Sequence, residues 1–444
     1  MRFGIEAASY YVPSLYLEIN DLAQKRGIEP AKLEHGLGLK KMAFPDVHED
    51  AATFAAEALL RLITDYQINP KEISRIYLGT ESAVDAAKPT ASYAMQMVEE
   101  VLEPEFGSRV FRNCDVVDLT FACVGGVDAL QNCLDFVRSN PGKKAVVIAS
   151  DYAKYGLESS GEYTQGGGAV ALLISADPKL LEVENVFGIG TESVHDFFKP
   201  RRQGLKTDYS AATEGMPDKI ELFTDEPVFD GQYSNQCYQD RIREAYEHYV
   251  AQSGNQKPYE KWRYLIFHLP YAFHGKRVFT EIYSSENNLP FSTADEQKAV
   301  AKSQEYQDFI NKKIEPTQRA SSEIGNMYTA SVFMAFLSAL QSAYDAGEEL
   351  EGETVGFLSY GSGSKSKVFA GKIGSGWKEV VSKWNLFETL AGRQRIDFET
   401  YEKLHRKQLE ASVNPKYKGF GFRAFEKENP LSMGARYYHN QKAE

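Results

Sequence analysis

Cysteine is scarce. The 444-residue chain holds four, Cys114, Cys123, Cys133 and Cys237, with no CxxC pair and no Cys/His ligand spacing. That excludes a disulfide-stapled scaffold and the common zinc modules, so no metal is expected, and free thiols in a reducing compartment are the ordinary reading. Long apolar runs are lacking as well. The longest, Gly166–Ala176 (GGGAVALLISA), falls far short of the ~18–20 residues that span a bilayer, so no membrane partner is expected. The start, MRFGIEAASYYVP, lacks the apolar stretch of a secretory leader, and a cytoplasmic location is the expectation. Basic charge is in deficit: 50 Lys and Arg stand against 62 Asp and Glu, a net −12 that repels nucleic acid. A phosphate-bearing small ligand would need a local basic patch. What is present is ordinary for a folded protein, with 43% apolar and 25% charged residues, enough to bury a large core.

Strand-like runs alternate with amphipathic helices, which points to an α/β fold. In the first half, Ile73–Gly79 (ISRIYLG) leads into Thr80-Glu81-Ser82, 114–119 (CDVVDL) into the Cys123 turn, and 144–149 (KAVVIA) into Ser150-Asp151. The second half repeats the order. Residues 264–267 (YLIF) lead into His268-Leu269-Pro270, 322–329 (SEIGNMYT) are expected to open a long helix, and 354–358 (TVGFL) lead into Ser359-Tyr360-Gly361. Cys123 follows Glu81 by 42 residues and Asn326 follows His268 by 58; Asp151 and Tyr360 follow by 70 and 92. This parallel suggests an internal duplication, with halves at 1–165 and 166–444. Residues 199–235 are polar and turn-rich, an excursion or lid; 293–313 read as a solvated surface helix; the tail after Val413 has few signals.

Cys123 sits in TFACVGG, followed by Val127, Leu130, Leu134 and Val137 at helical spacing. A strand, a tight turn and a helix would place the thiol at a helix N-terminus, where unpaired N–H groups favour a thiolate. Gly125 and Gly126 cost helix stability and are read as allowing close approach of a ligand. Cys133, on the same helix without glycines, is assigned to core packing. Glu81, directly after an apolar strand, serves as a general base if burial raises its pKa. His268 also ends an apolar strand, with His274 six residues on as the alternative. GNMYT (325–329) reads as an Asn cap, and SYGSG (359–363) as a flexible or ligand-facing turn. Each has a bland explanation singly; packing does not readily explain their coincidence in matched places.

Together GTESAVDAAK (79–88), ACVGG (122–126), EYTQGGGAVALLI (162–174), HDFFKP (195–200), IFHLPY (266–271), GNMYT (325–329) and SYGSGS (359–364) resemble the hydroxymethylglutaryl-CoA synthase family of the thiolase superfamily, in its bacterial form. The likeness runs through nearly the whole chain, weakest at 283–320 and beyond about 375. It implies a thiolase-like five-layer αβαβα fold of two related halves, with insertions near 199–235 and 283–320, and a homodimer. It implies an acyltransferase that joins acetyl-CoA to acetoacetyl-CoA, feeding mevalonate and isoprenoid synthesis without a cofactor. Cys123 would carry the acetyl group, Glu81 would be the general acid/base, and His268 would anchor the acetoacetyl group. Asn326, Ser359, Asp151, Asp196, Thr164 and Lys276 would fall on substrate-binding or supporting positions.

Two departures stand out. Val124 stands where the family has a tyrosine, and Phe273 where many relatives carry a lysine near the CoA phosphates. Lys276 and Arg277, or Lys199, Arg201 and Arg202, could restore phosphate attraction, although solvated surface charge is the simpler reading of each. Three rival functions stay open: an acyl-carrier-protein-dependent synthase of polyketide β-branching, a ketoacyl-synthase-like enzyme that does without the glutamate, and a silent thioester-binding scaffold.

Overall fold

The computed structural model describes residues 1–205, 219–289 and 291–440. Five strands of the first half are β1 Phe3–Tyr11, β2 Ile73–Gly79, β3 Asp115–Leu119, β4 Lys144–Ala153 and β5 Gly166–Ala176, in spatial order β3-β2-β4-β5-β1. Four strands of the second half are β6 Leu181–Thr191, β7 Trp262–Phe267, β8 Thr354–Gly361 and β9 Lys365–Ile373, in order β7-β8-β9-β6. Counted from its own first strand, the first half runs 3-2-4-5-1 and the second 2-3-4-1, which is the first half's order with its strand 3 left out. The winding is the same, less one strand. β2, β3 and β4 are mutually parallel, as are β7 and β8, while the remaining pairs are antiparallel. The half-sheets meet through two residue pairs, Gly4 with Glu182 and Ile5 with Leu181. A Cβ on Gly4 would lie 1.9 Å from the Leu181 carbonyl oxygen, so only glycine fits this seam. Because β5 pairs with both β1 and β4, the sheets divide in the loop after residue 176, not at 165.

Helices complete five layers. On the outer face of the first half-sheet lies α1 (Ala51–Asp65), with α2 (Thr90–Phe106) packed against it. Between the sheets lie α3 (Gly125–Ser139) and α8 (Ser331–Asp345); on the outer face of the second lies α4 (Gly231–Ser253). α8 is apolar nearly all round and 12 of its 15 residues are buried, as a helix clasped between two sheets requires. Burial of β4 and β5 on both faces gives their nearly unbroken apolar sequences. Among the described residues no helix is long and apolar enough to cross a membrane.

Several local expectations change. The helix expected from Ser322 is two: α7 (Glu315–Ile324) ends at Gly325, with φ at +89°, and α8 begins only at Ser331. Residues 293–313 form α5, Ala294–Lys302, and α6, Gln304–Lys313, separated at Ser303, whose hydroxyl accepts the Tyr306 N–H. Tyr306 and Ile310 are buried, so this segment is not merely a solvated face. Within 199–235, strands Arg202–Leu205 and Lys219–Leu222 pair, and Phe197–Phe198 pairs with Val228–Phe229; residues 206–218 of the expected lid lie outside the described residues. The tail forms a hairpin, Phe420–Phe425 with Arg436–Asn440, fastened to the start of α1 where Arg436 and Tyr438 both donate to Asp50.

Candidate active site

The parallel strands β2, β3 and β4 finish at one edge, as expected where parallel strands present their C-terminal ends to a ligand. Glu81 follows β2, Cys123 follows β3, and Asp151 lies near the end of β4. The turn into Cys123 needs Ala122 at φ +40°, a costly backbone for a residue with a side chain. It aims the buried thiol across the gap, where Cys123 Sγ donates to Glu81 Oε1 at 2.9 Å. Although Glu81 as a residue is half-buried, its carboxyl is enclosed. Burial raises it to about 7, the Lys199 ammonium pulls it down, and the Asp151 charge adds to the rise. Burial followed by the Glu81 charge pushes the Cys123 thiol well above its usual range. The expectation of a thiolate stabilised by the helix N-terminus is therefore corrected. Desolvation and a facing carboxyl outweigh the helix dipole, and the resting sulfur keeps its proton.

The glycines after Cys123 are also reassigned. A Cβ at Gly125 would lie 2.9 Å from the Leu119 carbonyl oxygen, and one at Gly126 would lie 3.0 Å from the Thr329 carbonyl oxygen and the Phe333 ring. Packing of α3 against β3 and α8 accounts for both without a ligand. Cys133 is fully buried in the core, as assigned.

Asp151 does not line the cavity. Its Oδ1 accepts the Thr80 hydroxyl at 2.9 Å and the Glu81 N–H at 2.8 Å, while Oδ2 accepts the Thr329 hydroxyl and its N–H at 3.0 Å. It therefore ties the Glu81 turn of one half to the start of α8 in the other. Asp196 accepts from the Tyr360 phenol at 2.6 Å, Gly363 N–H at 2.7 Å and Ser234 at 3.2 Å, fixing the SYGSG turn. Ser359 donates to the Lys367 carbonyl at 2.8 Å across the β8–β9 pair. The resemblance places these three on substrate-binding or supporting positions. The structure commits their polar atoms to the scaffold, away from the cavity wall.

A cavity of about 840 Å³ opens beside the sulfur, and Cys123, His268, Asn326, Thr164 and Lys276 all line it. His268 follows β7, its N–H donating to Leu358 and its carbonyl accepting the Tyr238 phenol at 2.7 Å. Its ring lies nearly parallel to Tyr238, with centroids 6.1 Å apart, and burial lowers it to about 3, so it is a neutral imidazole. His274, the alternative, lies on the same wall with the same burial effect. Asn326 Oδ1 accepts the Tyr328 N–H at 2.8 Å and its own N–H donates to the Thr164 carbonyl, so Asn326 ties down the chain just before a 3₁₀ turn whose N-cap is Met327, and does not cap a long helix. The Thr164 hydroxyl donates to Gly161.

Sequence reasoning passed over the aromatic surround. Tyr155, Tyr328, Phe197 and Phe229 pack on one another beside Cys123, shielding the sulfur. Phe197 and Tyr328 lie inside the quoted motifs, but a spacing pattern does not reveal that they converge. Lys199, read as surface charge, instead donates from Nζ to the Glu81 carbonyl at 2.9 Å and lies 4.9 Å from the Tyr328 ring centroid. Arg201 and Arg202 are exposed. Lys276, Arg277 and Lys298 are the basic residues that line the cavity. Lys276 Nζ lies 3.3 Å from the centroid of the Phe273 ring, and that ring fills the space beside Gly38.

A family model for the hydroxymethylglutaryl-coenzyme A synthase N terminal matches residues 1–179, and one for the C terminal matches 217–440. A hydroxymethylglutaryl-CoA synthase of Haloferax volcanii is 33% identical, the alignment covering 90% of this chain and 91% of the relative. The chain belongs to the hydroxymethylglutaryl-CoA synthase family. A second family member, from Enterococcus faecalis, is 28% identical over 93% of this chain and 94% of its own. The structure of MvaS in complex with 3-hydroxy-3-methylglutaryl coenzyme A is 31% identical, with a TM-score of 0.82 over 99% of both chains. A synthase from the curacin biosynthetic pathway, at 22% identity, TM-score 0.80 and coverage of 99% and 100%, shares the fold. The layered arrangement is thus the thiolase-like fold of this family. The chain is an acyltransferase that forms a carbon–carbon bond, the family's activity.

Proposed function

We propose that the chain condenses acetyl-CoA with acetoacetyl-CoA to give 3-hydroxy-3-methylglutaryl-CoA, with Cys123 as nucleophile, Glu81 as general acid/base and His268 as a neutral hydrogen-bond donor. The 2.9 Å contact between Sγ and Oε1, at the wall of a cavity that His268 shares, is the observation that carries this reading. Glu81 takes the thiol proton, the sulfur attacks the acetyl carbonyl, and CoA leaves with that proton. Glu81 then removes a proton from the methyl group of acetyl-Cys123, and the resulting carbanion adds to the ketone carbon of acetoacetyl-CoA. The new alkoxide regains the proton from Glu81 while His268 donates to the same oxygen. Water cleaves the Cys123 thioester, releasing product and restoring the thiol. Asn326 has its carbonyl tied to Tyr328 and so offers its amide hydrogens to a substrate carbonyl. Lys276, Arg277 and Lys298 line the same cavity and suit the CoA phosphates, with Lys276 beside the Phe273 that stands where the resemblance expects a lysine.

Incubation with acetyl-CoA followed by intact-mass measurement tests the nucleophile. An acetyl adduct is expected in the parent and in Cys133→Ser but not in Cys123→Ser; an adduct surviving Cys123→Ser rejects the assignment. Negligible turnover of free acetoacetyl-CoA, with turnover of a carrier-bound substrate, would overturn the choice of CoA. This reading also takes the enzyme as a cytosolic homodimer, in which the half-exposed edge strand β3 offers unpaired backbone groups for association.

A further inference from the structure

We propose that Lys199 is a positioning residue for Glu81, fixing its main chain and supplying positive charge that keeps its carboxyl available as a base. The proposal rests on the reading of Glu81 given above. Lys199 follows the short strand Phe197–Phe198, which pairs with Val228–Phe229 in front of α4. Its Nζ reaches the Glu81 turn of the opposite half and donates to the Glu81 carbonyl at 2.9 Å, beside the Tyr328 ring. The ammonium thus meets the backbone of Glu81 and leaves the carboxylate oxygens to the Cys123 sulfur. A direct ion pair would hold the carboxylate and compete with proton transfer; a main-chain contact delivers charge without that capture.

The surroundings make the charge matter. The groups acting on Glu81 are Cys123 from the turn after β3, Asp151 near the end of β4, Asp196 after β6, and Lys199; Tyr155 and Tyr328 feel the Glu81 charge in turn. Asp151 and Asp196 disfavour a second negative charge. Lys199 opposes them, and it acts in the same direction on Cys123 and Asp151. A lysine at this place is half-buried and donates to the Glu81 carbonyl, at a cost in desolvation, features that a purely solvated charge would not share.

The test compares Lys199→Met, Lys199→Gln and Lys199→Arg by the pH profile of condensation kcat/KM and by acetylation of Cys123. Gln retains a hydrogen-bond donor without the charge; Arg retains both. In Met and Gln the acid limb is expected to move to higher pH, with about tenfold loss at pH 6.5 and within about threefold of the parent at pH 8.5. Arg is expected to bring the limb back most of the way. A pH-independent loss in all three, or a Gln variant with the parental limb, would overturn the charge role. An acetyl-Cys123 adduct in the same variants separates that outcome from failure of the catalytic assignment.

Discussion

At Glu81, burial and the Asp151 charge raise the carboxyl to about 7, against the pull of Lys199 and the Cys123 thiol. A base in that range is mostly protonated at pH 6 and mostly ionised at pH 8, so condensation should rise with pH through about 7. A kcat/KM profile that is flat between those limits would remove Glu81 from the role. Replacing Glu81 by Ala should lower condensation by about 10²–10⁴-fold, read in single-turnover assays on pre-acetylated enzyme. The residue types at 81, 123 and 268 were legible in the sequence, because each follows an apolar run. Their electrostatics were not. A helix N-terminus is visible from local spacing and argued for a thiolate; the carboxyl that reverses the argument lies 42 residues earlier and is seen only when β2 and β3 align. Ser359 illustrates the converse: its place in a motif left substrate contact and support both open, and strand pairing has taken its hydroxyl for support.

Among the elements, α3 shows how closely the layers approach. A Cβ on Gly126 would press on the Thr329 carbonyl and the Phe333 ring, so Gly126→Ala is expected to cost about 1–3 kcal/mol in urea unfolding. Gly142→Ala, in open space at an ordinary φ, is the control and should stay within about 0.5 kcal/mol. An equal effect at both positions would mean that backbone entropy, not crowding, dominates. Apolar runs leading to polar turns were readable as strands, since burial between helix layers demands such runs. The helix around 322–329 was misplaced because its pattern continues across Gly325, while the chain there bends to bring Asn326 to Thr164 and Tyr328. The final hairpin escaped notice because it is held by distant partners, Asp50 and Glu57, which no local pattern encodes.

On the scale of the whole molecule, buried groups of opposite sign shape the dependence of stability on pH. His268 and His274 are neutral in the fold down to about 3, so the stability they allow above pH 6.5 is lost as pH falls. Glu49 acts oppositely. Enclosed beside Tyr11, it holds its proton to about 8, against 4.5 in the open chain, so its contribution is present at low pH and lost as pH rises. Glu49→Gln should therefore make unfolding free energy climb more steeply between pH 5 and 7, by about 1.4 kcal/mol per pH unit relative to the parent. Equal slopes in urea titrations at pH 5.5 and 7 would argue against an enclosed protonated carboxyl. The repeated order of strands was only hinted at by motif spacing. It becomes plain in the pairing, because topology outlasts the side chains that first marked the duplication.

The Asp151 carboxylate grips Thr80 and Glu81 on one side and Thr329 on the other. Any loosening between the two lobes therefore reaches the base at once, before helices or strands begin to melt. Turnover should fade earlier on heating than circular dichroism does, making catalysis a sensitive gauge of how firmly the ancestral copies remain clasped.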